Sequence, residues 1–280
     1  MLFQIEPLPF EYNFAVPMFF FWVMILVITI LLIDIEMVNR KLIIVISVIT
    51  ILYGVILFGG FPHAVMPIQH ILFILSGRGL ISSLLPVIIV LSLLSATSLI
   101  VGRIFCGFAC PIGTLQELIS KINFKSDLKS QEKVKYRIED SSKLPSRIRR
   151  IFLAILIILA IFGILLLEMI NPLTGFFIFR SPFTLTLLIP LVSLIVVSIV
   201  SIFIYRPWCR YLCPFGAFSS LCSRISRKKY HRTEDCTDCG LCEKICPTQE
   251  ASAGSKRNEC YFCNRCIEIC PNDAIKFSER

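Results

Sequence analysis

Long apolar runs separated by short charged blocks fill the chain from about residue 14 to residue 205; beyond that, closely spaced cysteines alternate with polar residues. Five runs, near 14–33, 42–60, 80–101, 151–170 and 185–205, approach the roughly 20 apolar residues a helix needs to cross about 30 Å of hydrocarbon. The second reaches that length only with Gly59 and Gly60, and Pro190 should distort the fifth, whose broken backbone must find partners among its neighbours. Segments 1–13, 61–79 and 171–184 hold only two basic residues, Arg78 and Arg180. Arg40, Lys41, Arg103, the ten Lys and Arg of 121–150 and everything after Arg206 fall on the opposite side. Basic residues next to a span resist translocation, so this asymmetry predicts five spans with the N-terminus outside and the C-terminus in the cytoplasm. The expected fold class is an all-α transmembrane bundle of about five helices over 1–230, with a cytoplasmic loop at 102–150, followed by a small α+β domain over 231–280.

Composition supports a lipid environment. Hydrophobic residues make up 56% and charged residues 17%, with a mean hydropathy of +0.79, too apolar for a soluble globule with one core. The net charge of +9 is concentrated near 121–150 and 206–232. Basic blocks that flank apolar runs report orientation at a membrane, so no nucleic acid partner is expected. Residues 1–15 contain Glu6 and Glu11 but no Lys or Arg; without a basic n-region the first apolar run reads as a retained helix. The stretch from Lys125 to Arg150 reads as a solvated, partly helical connection.

An internal repeat organises the chemistry. Arg103-Ile-Phe-Cys106-Gly-Phe-Ala-Cys110-Pro111-Ile-Gly113 returns as Arg206-Pro-Trp-Cys209-Arg-Tyr-Leu-Cys213-Pro214-Phe-Gly216, and the match extends to Leu118 over Leu221 and Ile122 over Ile225. Each copy predicts a span, a CxxxCP motif and a short amphipathic helix on the cytoplasmic surface. An i, i+4 cysteine pair on a helical turn shares one face, so Cys106, Cys110, Cys209 and Cys213 can make one tetrathiolate site for an Fe-S cluster or another soft metal. The alternative is that they are reduced cysteines in a packing motif. Gly113 and Gly216 are expected to let the chain turn into the surface helix. Cys222, opposite Ile119 in the first copy, reads as structural.

The strongest signal is a second repeat. Cys236, Cys239, Cys242 and Cys246 before Pro247, and Cys260, Cys263, Cys266 and Cys270 before Pro271, both follow CxxCxxCxxxCP. Three thiolates on a tight loop hold three corners of a cubane, and the fourth cysteine serves the other cluster. The predicted sets are Cys236, Cys239, Cys242 and Cys270 for one [4Fe-4S] cluster, and Cys260, Cys263, Cys266 and Cys246 for the other. Zinc also accepts four cysteines, but zinc ribbons use paired CxxC knuckles without the third step or the proline. Residues 231–280 resemble the bacterial-type two-cluster ferredoxins, with Ala274–Phe277 as the closing strand, and so small a unit should draw much of its stability from its clusters.

From about residue 42 onward the chain resembles the NapH-type membrane ferredoxins and their relatives NosR and CcoG. The resemblance rests on the RxxCxxxCPxG pair, the two ferredoxin runs and Glu168-Met-Ile-Asn171-Pro172. It implies a multi-pass protein of a prokaryotic cytoplasmic membrane that passes electrons between a quinol pool and other redox subunits or a soluble ferredoxin-like partner, as the electron-transfer subunit of an oxidoreductase system. Five predicted spans exceed the four usual in the nitrate-reductase members, which leaves the place of residues 1–41 open. On the outer side His63 and His70 lie seven apart, on one helical face; with Glu168 they can form a quinol site that takes up protons. Two histidines can instead ligate a haem or simply be solvated, and Glu168 can serve the backbone freed by Pro172. A second functional class is an accessory factor, CcoG- or NosR-like, that reduces or handles a metal ion for a metalloenzyme. A redox sensor is the third, and no DNA-binding, kinase or nucleotide motif supplies its output.

Overall fold

The computed structural model describes residues 12–35, 40–57, 64–77, 84–122, 144–179 and 187–279. The Leu- and Ile-rich runs form α1 (Tyr12–Asp34), α2 (Arg40–Ile51), α4 (Leu84–Val101), α6 (Leu144–Ile161) and α9 (Leu188–Phe203), with α3 (Met66–Leu75) between the second and third of these. Two short helices, α7 (Leu166–Ile170) and α8 (Pro172–Gly175), follow α6, and the cysteine motifs open α5 (Pro111–Ile122) and α10 (Pro214–Arg224).

The helices occur where hydropathy predicts them, but the expected five-helix transmembrane bundle is overturned. Among the described residues, no helix is long and apolar enough to cross a membrane. The reasons are local. α2 ends after 12 residues and widens into a π-helical segment, Leu52–Leu57. α6 carries Arg147, Arg149 and Arg150 in its first two turns, and the chain breaks at Gly163, left-handed at φ +78°. α9 has only 16 residues. α4, at 18 residues, rises about 27 Å at about 1.5 Å per residue.

The two copies of the long repeat interlock. α5, from the first copy, packs against α9, which leads into the second copy; α10, from the second copy, packs against α4, which leads into the first. Phe105 and Phe215, one from each motif, meet edge to face at 6.1 Å, and Trp22 of α1 covers Phe105 at 5.0 Å. The expected surface position of the two amphipathic helices is therefore wrong. Most of α10 from Pro214 to Ser223 is buried, as is most of α5, because each helix is a wall between the other copy's elements.

The C-terminal module opens with β1 (Lys228–Arg232) and closes with β2 (Ile275–Glu279); between them lie α11 (Leu241–Ile245) and α12 (Arg265–Glu268). The strands are antiparallel, with Tyr230 opposite Phe277 and Arg232 opposite Ile275. Tyr230, Phe262 and Phe277 form a ring cluster at centroid separations of 5.2–5.8 Å. Aromatic burial of this kind is the largest apolar contribution available to so small a unit.

Candidate functional site

The ferredoxin cysteines wall two cavities. One is lined by Cys246, Cys260, Cys263 and Cys266, the other by Cys236, Cys239, Cys242 and Cys270, so each cavity holds three cysteines of one run and the fourth of the other. Backbone conformation explains how the loops close. Asp238 and Phe262 occupy equivalent positions of the two runs and both are left-handed, at φ 49° and 56°; Gly240 and Asn264, also equivalent, lie at 72° and 58°. Such left-handed turns aim successive N–H groups inward and suit an anionic group, and a phenylalanine adopts one only where its surroundings over-determine it. Cys270 Sγ accepts a hydrogen bond from the Ala274 N–H at 3.3 Å. Among the described residues, no group of three or more His, Cys, Asp or Glu is placed to hold a metal ion.

The four CxxxCP cysteines are brought together too, though not on an α-helical face. Phe105–Ala109 and Trp208–Leu212 are π-helical turns, and Cys110 and Cys213 follow in extended conformation at the starts of α5 and α10. Cys213 Sγ accepts from the Gly216 N–H at 3.4 Å. All four thiols are buried. Burial pushes Cys110 well above the ordinary thiol range, and Cys209, Cys106 and Cys213 push it further. Burial likewise raises Cys213, to about 11. For Cys106 the same effect is opposed by Arg103, Arg206 and Arg149. Gln116 on α5 donates to Cys209 Sγ at 3.8 Å, while Ser219, the same repeat position on α10, hydrogen-bonds Cys106. Each copy's helix thus serves the other copy's cysteine.

Two buried carboxylates tie this site to the C-terminal module. Glu117 accepts from Tyr205 at 2.6 Å, Arg206 at 3.2 Å and Arg265 at 2.8 Å. Glu259, adjacent to Cys260, accepts from Arg103 and Arg149, both at 2.5 Å. Burial raises the Glu117 carboxyl, but Arg265 and Arg206 outweigh it and hold it at about 2. Burial and the pair Arg103 and Arg149 act on Glu259 in the same opposing way, with a net lowering. Removing either partner of such a buried pair leaves an uncompensated charge, at about 3–5 kcal/mol.

Sequence reasoning did not find Glu117, Glu259, Arg149 or Arg265. The available signal was the repeat itself: Arg103 and Arg206 occur at the same position in both copies, and a buried arginine requires an acid. On the other side, His63 lies outside the described residues. His70 sits on α3, half-buried, 6.3 Å from the Phe73 ring. Glu168, on α7, lines a small cavity with Gln69, Leu72, Leu156 and Ala160; His70 is not part of that lining. Asn171 caps α8 by accepting from the Leu173 N–H at 3.2 Å and donates to Gln69 at 3.1 Å. Cys222 is partly exposed on α10.

Comparisons with known proteins divide the chain along the same lines. One family model, described as a 4Fe-4S binding domain, matches residues 83–129 and again 186–233, the two copies of the CxxxCP repeat. A second model with the same description matches 229–249 and 257–276, the two ferredoxin runs. The putative electron transport protein YccM of Escherichia coli is 34% identical over 54% of this chain and 43% of its own length. The methylamine utilization ferredoxin-type protein MauN of Methylobacillus flagellatus is 27% identical over 52% of this chain and 48% of its own, and the regulatory protein NosR of Stutzerimonas stutzeri also matches. The chain spans about half the length of these first two relatives. No solved structure matches. The uncharacterized protein MJ0750 of Methanocaldococcus jannaschii is 33% identical over 63% of this chain and 70% of its own length. The chain belongs to the family that includes MJ0750, an iron-sulfur family of 4Fe-4S ferredoxin-type proteins.

Proposed function

We propose that this protein relays electrons between a quinone pool or membrane partner and another redox protein, using the two ferredoxin cysteine sets and a third centre held by Cys106, Cys110, Cys209 and Cys213. A [4Fe-4S] centre supplies one-electron chemistry at a potential set by nearby charge, hydrogen bonds and exposure. The chain's own residues provide that setting. Cys246, Cys260, Cys263 and Cys266 hold one cluster, and Cys236, Cys239, Cys242 and Cys270 the other.

The observation that carries the third centre is charge. Arg103, Arg149, Arg206 and Arg265 are all buried, and among the described residues Glu117 and Glu259 are carboxylates that they bond. Arg103, Arg206 and Arg149 all act on Cys106, and buried positive charge favours an anion beside it, which four thiolates around an iron-sulfur centre would supply. Four neutral thiols would not. Gln116 and Ser219 orient the site, and the Phe105, Trp208 and Phe215 side chains exclude water from it.

A location at the prokaryotic cytoplasmic membrane, with the cysteine-rich half facing the cytoplasm, belongs to the same reading. Its support is the apolar surface left open on α9, where Leu188, Ile189, Val192, Val196 and Ile199 are each more than half exposed; contiguous patches of this kind mark interaction or lipid-facing surfaces. The proposed place for a quinol head group is the surface beside Gln69 and Glu168, whose own cavity is too small to enclose it.

The test is anaerobic stopped-flow mixing of the reduced protein with an oxidised quinone analogue, comparing wild type with the variant in which Cys106, Cys110, Cys209 and Cys213 are all alanine. Wild type is expected to reoxidise quickly and the variant to stall with its ferredoxin signals reduced. Equal rates would remove the third centre from the relay. Reoxidation by a metal ion but not by the quinone would favour the accessory-factor reading.

A further inference from the structure

We infer that the backbone contact between Gly107 and Tyr261 is the electronic bridge between the CxxxCP cysteines and the C-terminal module, so that the Cys246, Cys260, Cys263 and Cys266 set is the inner one and the Cys236, Cys239, Cys242 and Cys270 set faces the partner. This rests on the proposed reading of the CxxxCP cysteines as a redox centre.

Gly107 follows Cys106 and Tyr261 follows Cys260 in sequence. A Cβ on Gly107 would lie 2.6 Å from the Tyr261 carbonyl oxygen, so the two backbones touch with no room for a side chain. The repeat counterpart of Gly107 is Arg210. Both copies reach the ferredoxin loop, but at this repeat position only Gly107 lies against its backbone, so the missing side chain goes with the close contact. The Tyr261 ring is clamped between the guanidiniums of Arg103 and Arg206, 4.9 and 4.7 Å from its centroid, and Tyr205 meets it edge-on at 6.1 Å. The loop is therefore pinned where it touches Gly107.

Electron tunnelling decays faster through gaps than along covalent bonds. From Cys106 to Cys260 the path is bonded on both sides of a single non-bonded step. The exchange itself is balanced: one centre loses one electron, the other gains it, and no bond or proton moves. The cavity beside this contact is also lined by Tyr205, Tyr261 and Arg265, all members of the buried network. The other cavity has none of them among its lining residues, and its Cys239 is exposed together with Asp238 and Pro271.

Electron paramagnetic resonance of the reduced full chain, with iron counted in each sample, tests the inference. Wild type should show spin–spin broadening between the CxxxCP centre and a neighbouring cluster. Cys260→Ser should abolish the broadening, and Cys236→Ser should leave it. Gly107→Ala should weaken it at unchanged iron content, while Tyr261→Phe, which keeps the backbone contact, should not. Broadening that survives Cys260→Ser or disappears in Cys236→Ser would overturn the order of the centres, even if Gly107→Ala fails to fold; broadening weakened by Tyr261→Phe as much as by Gly107→Ala would overturn the bridge. A wild type with no more iron than the four-alanine variant would instead refute the CxxxCP centre itself, and the bridge with it.

Discussion

Arg206, in the second cysteine motif, donates to the Cys106 carbonyl oxygen in the first at 2.6 Å. Arg103 returns the interaction by donating to the Gly216 carbonyl oxygen of the second. The two copies, 103 residues apart in sequence, are therefore one folding unit. Arg206 also bonds Glu117, and both side chains are almost fully buried. Arg206→Ala should cost about 3–5 kcal/mol, because Glu117 loses a partner and the Cys106 carbonyl its donor. Arg206→Lys should not restore the loss, since a single ammonium cannot reach both acceptors in the guanidinium's fork geometry. Thermal unfolding followed by circular dichroism reads both.

Glu259 fastens the ferredoxin loop to the rest of the chain through Arg103 and Arg149. Glu259→Ala should destabilise by a similar amount, about 3–5 kcal/mol, and should expose the segment after Arg227 to protease before the helices unfold. Limited proteolysis with mass analysis of the fragments would show this; an unchanged digestion pattern would mean that the loop is held by other contacts.

Gly113 and Gly216 do not serve as left-handed turns. Both begin helices in ordinary conformation, and a Cβ on either would collide with the carbonyl of the cysteine seven residues earlier, Cys106 or Cys209. Gly216→Ala, whose added atom would sit 2.8 Å from the Cys209 oxygen and 3.2 Å from Arg149, should therefore disturb the cysteine motif despite alanine's better helix propensity, which alone would stabilise by up to about 1 kcal/mol. A melting temperature raised by this substitution would contradict the packing described.

The Glu117 carboxyl is held at about 2, below its ordinary 4.5. A carboxylate whose folded value is depressed contributes stability that is complete above the unfolded value and is lost as pH falls through the folded one. The difference in unfolding free energy between wild type and Glu117→Gln should accordingly be constant above about pH 4.5 and shrink from there toward pH 2. A difference that stays flat across that window would show that Arg206 and Arg265 do not hold Glu117 ionised.

What could be read in the sequence depended on how far apart the cooperating residues lie. The eight ferredoxin cysteines follow from spacings of three and four residues, and each predicted set lines one cavity. Hydropathy found the helices, but it averages over windows and so passed over the break at Gly163 and the π-helical widening after Ile51, and it took the arginines that open α6 for a flanking block outside the helix. The repeat revealed the CxxxCP pairs, yet placed them on an α-helical face where π turns carry them. The network of Glu117 with Arg206 and Arg265, and of Glu259 with Arg103 and Arg149, joins residues 89–156 positions apart, and no local pattern announces such a pairing. Once two equivalent arginines were known to be buried, however, the search for their acids had only a few candidates.

Metal and sulfide analysis of the anaerobically purified full chain, combined with low-temperature electron paramagnetic resonance after reduction, bears most directly on the central claim. The account predicts about eight irons with matching sulfide from the two ferredoxin sets and about four more from the CxxxCP cysteines if that centre is a further cubane, with signals that appear on reduction. Zinc in place of iron, or a preparation without acid-labile sulfide, would contradict it.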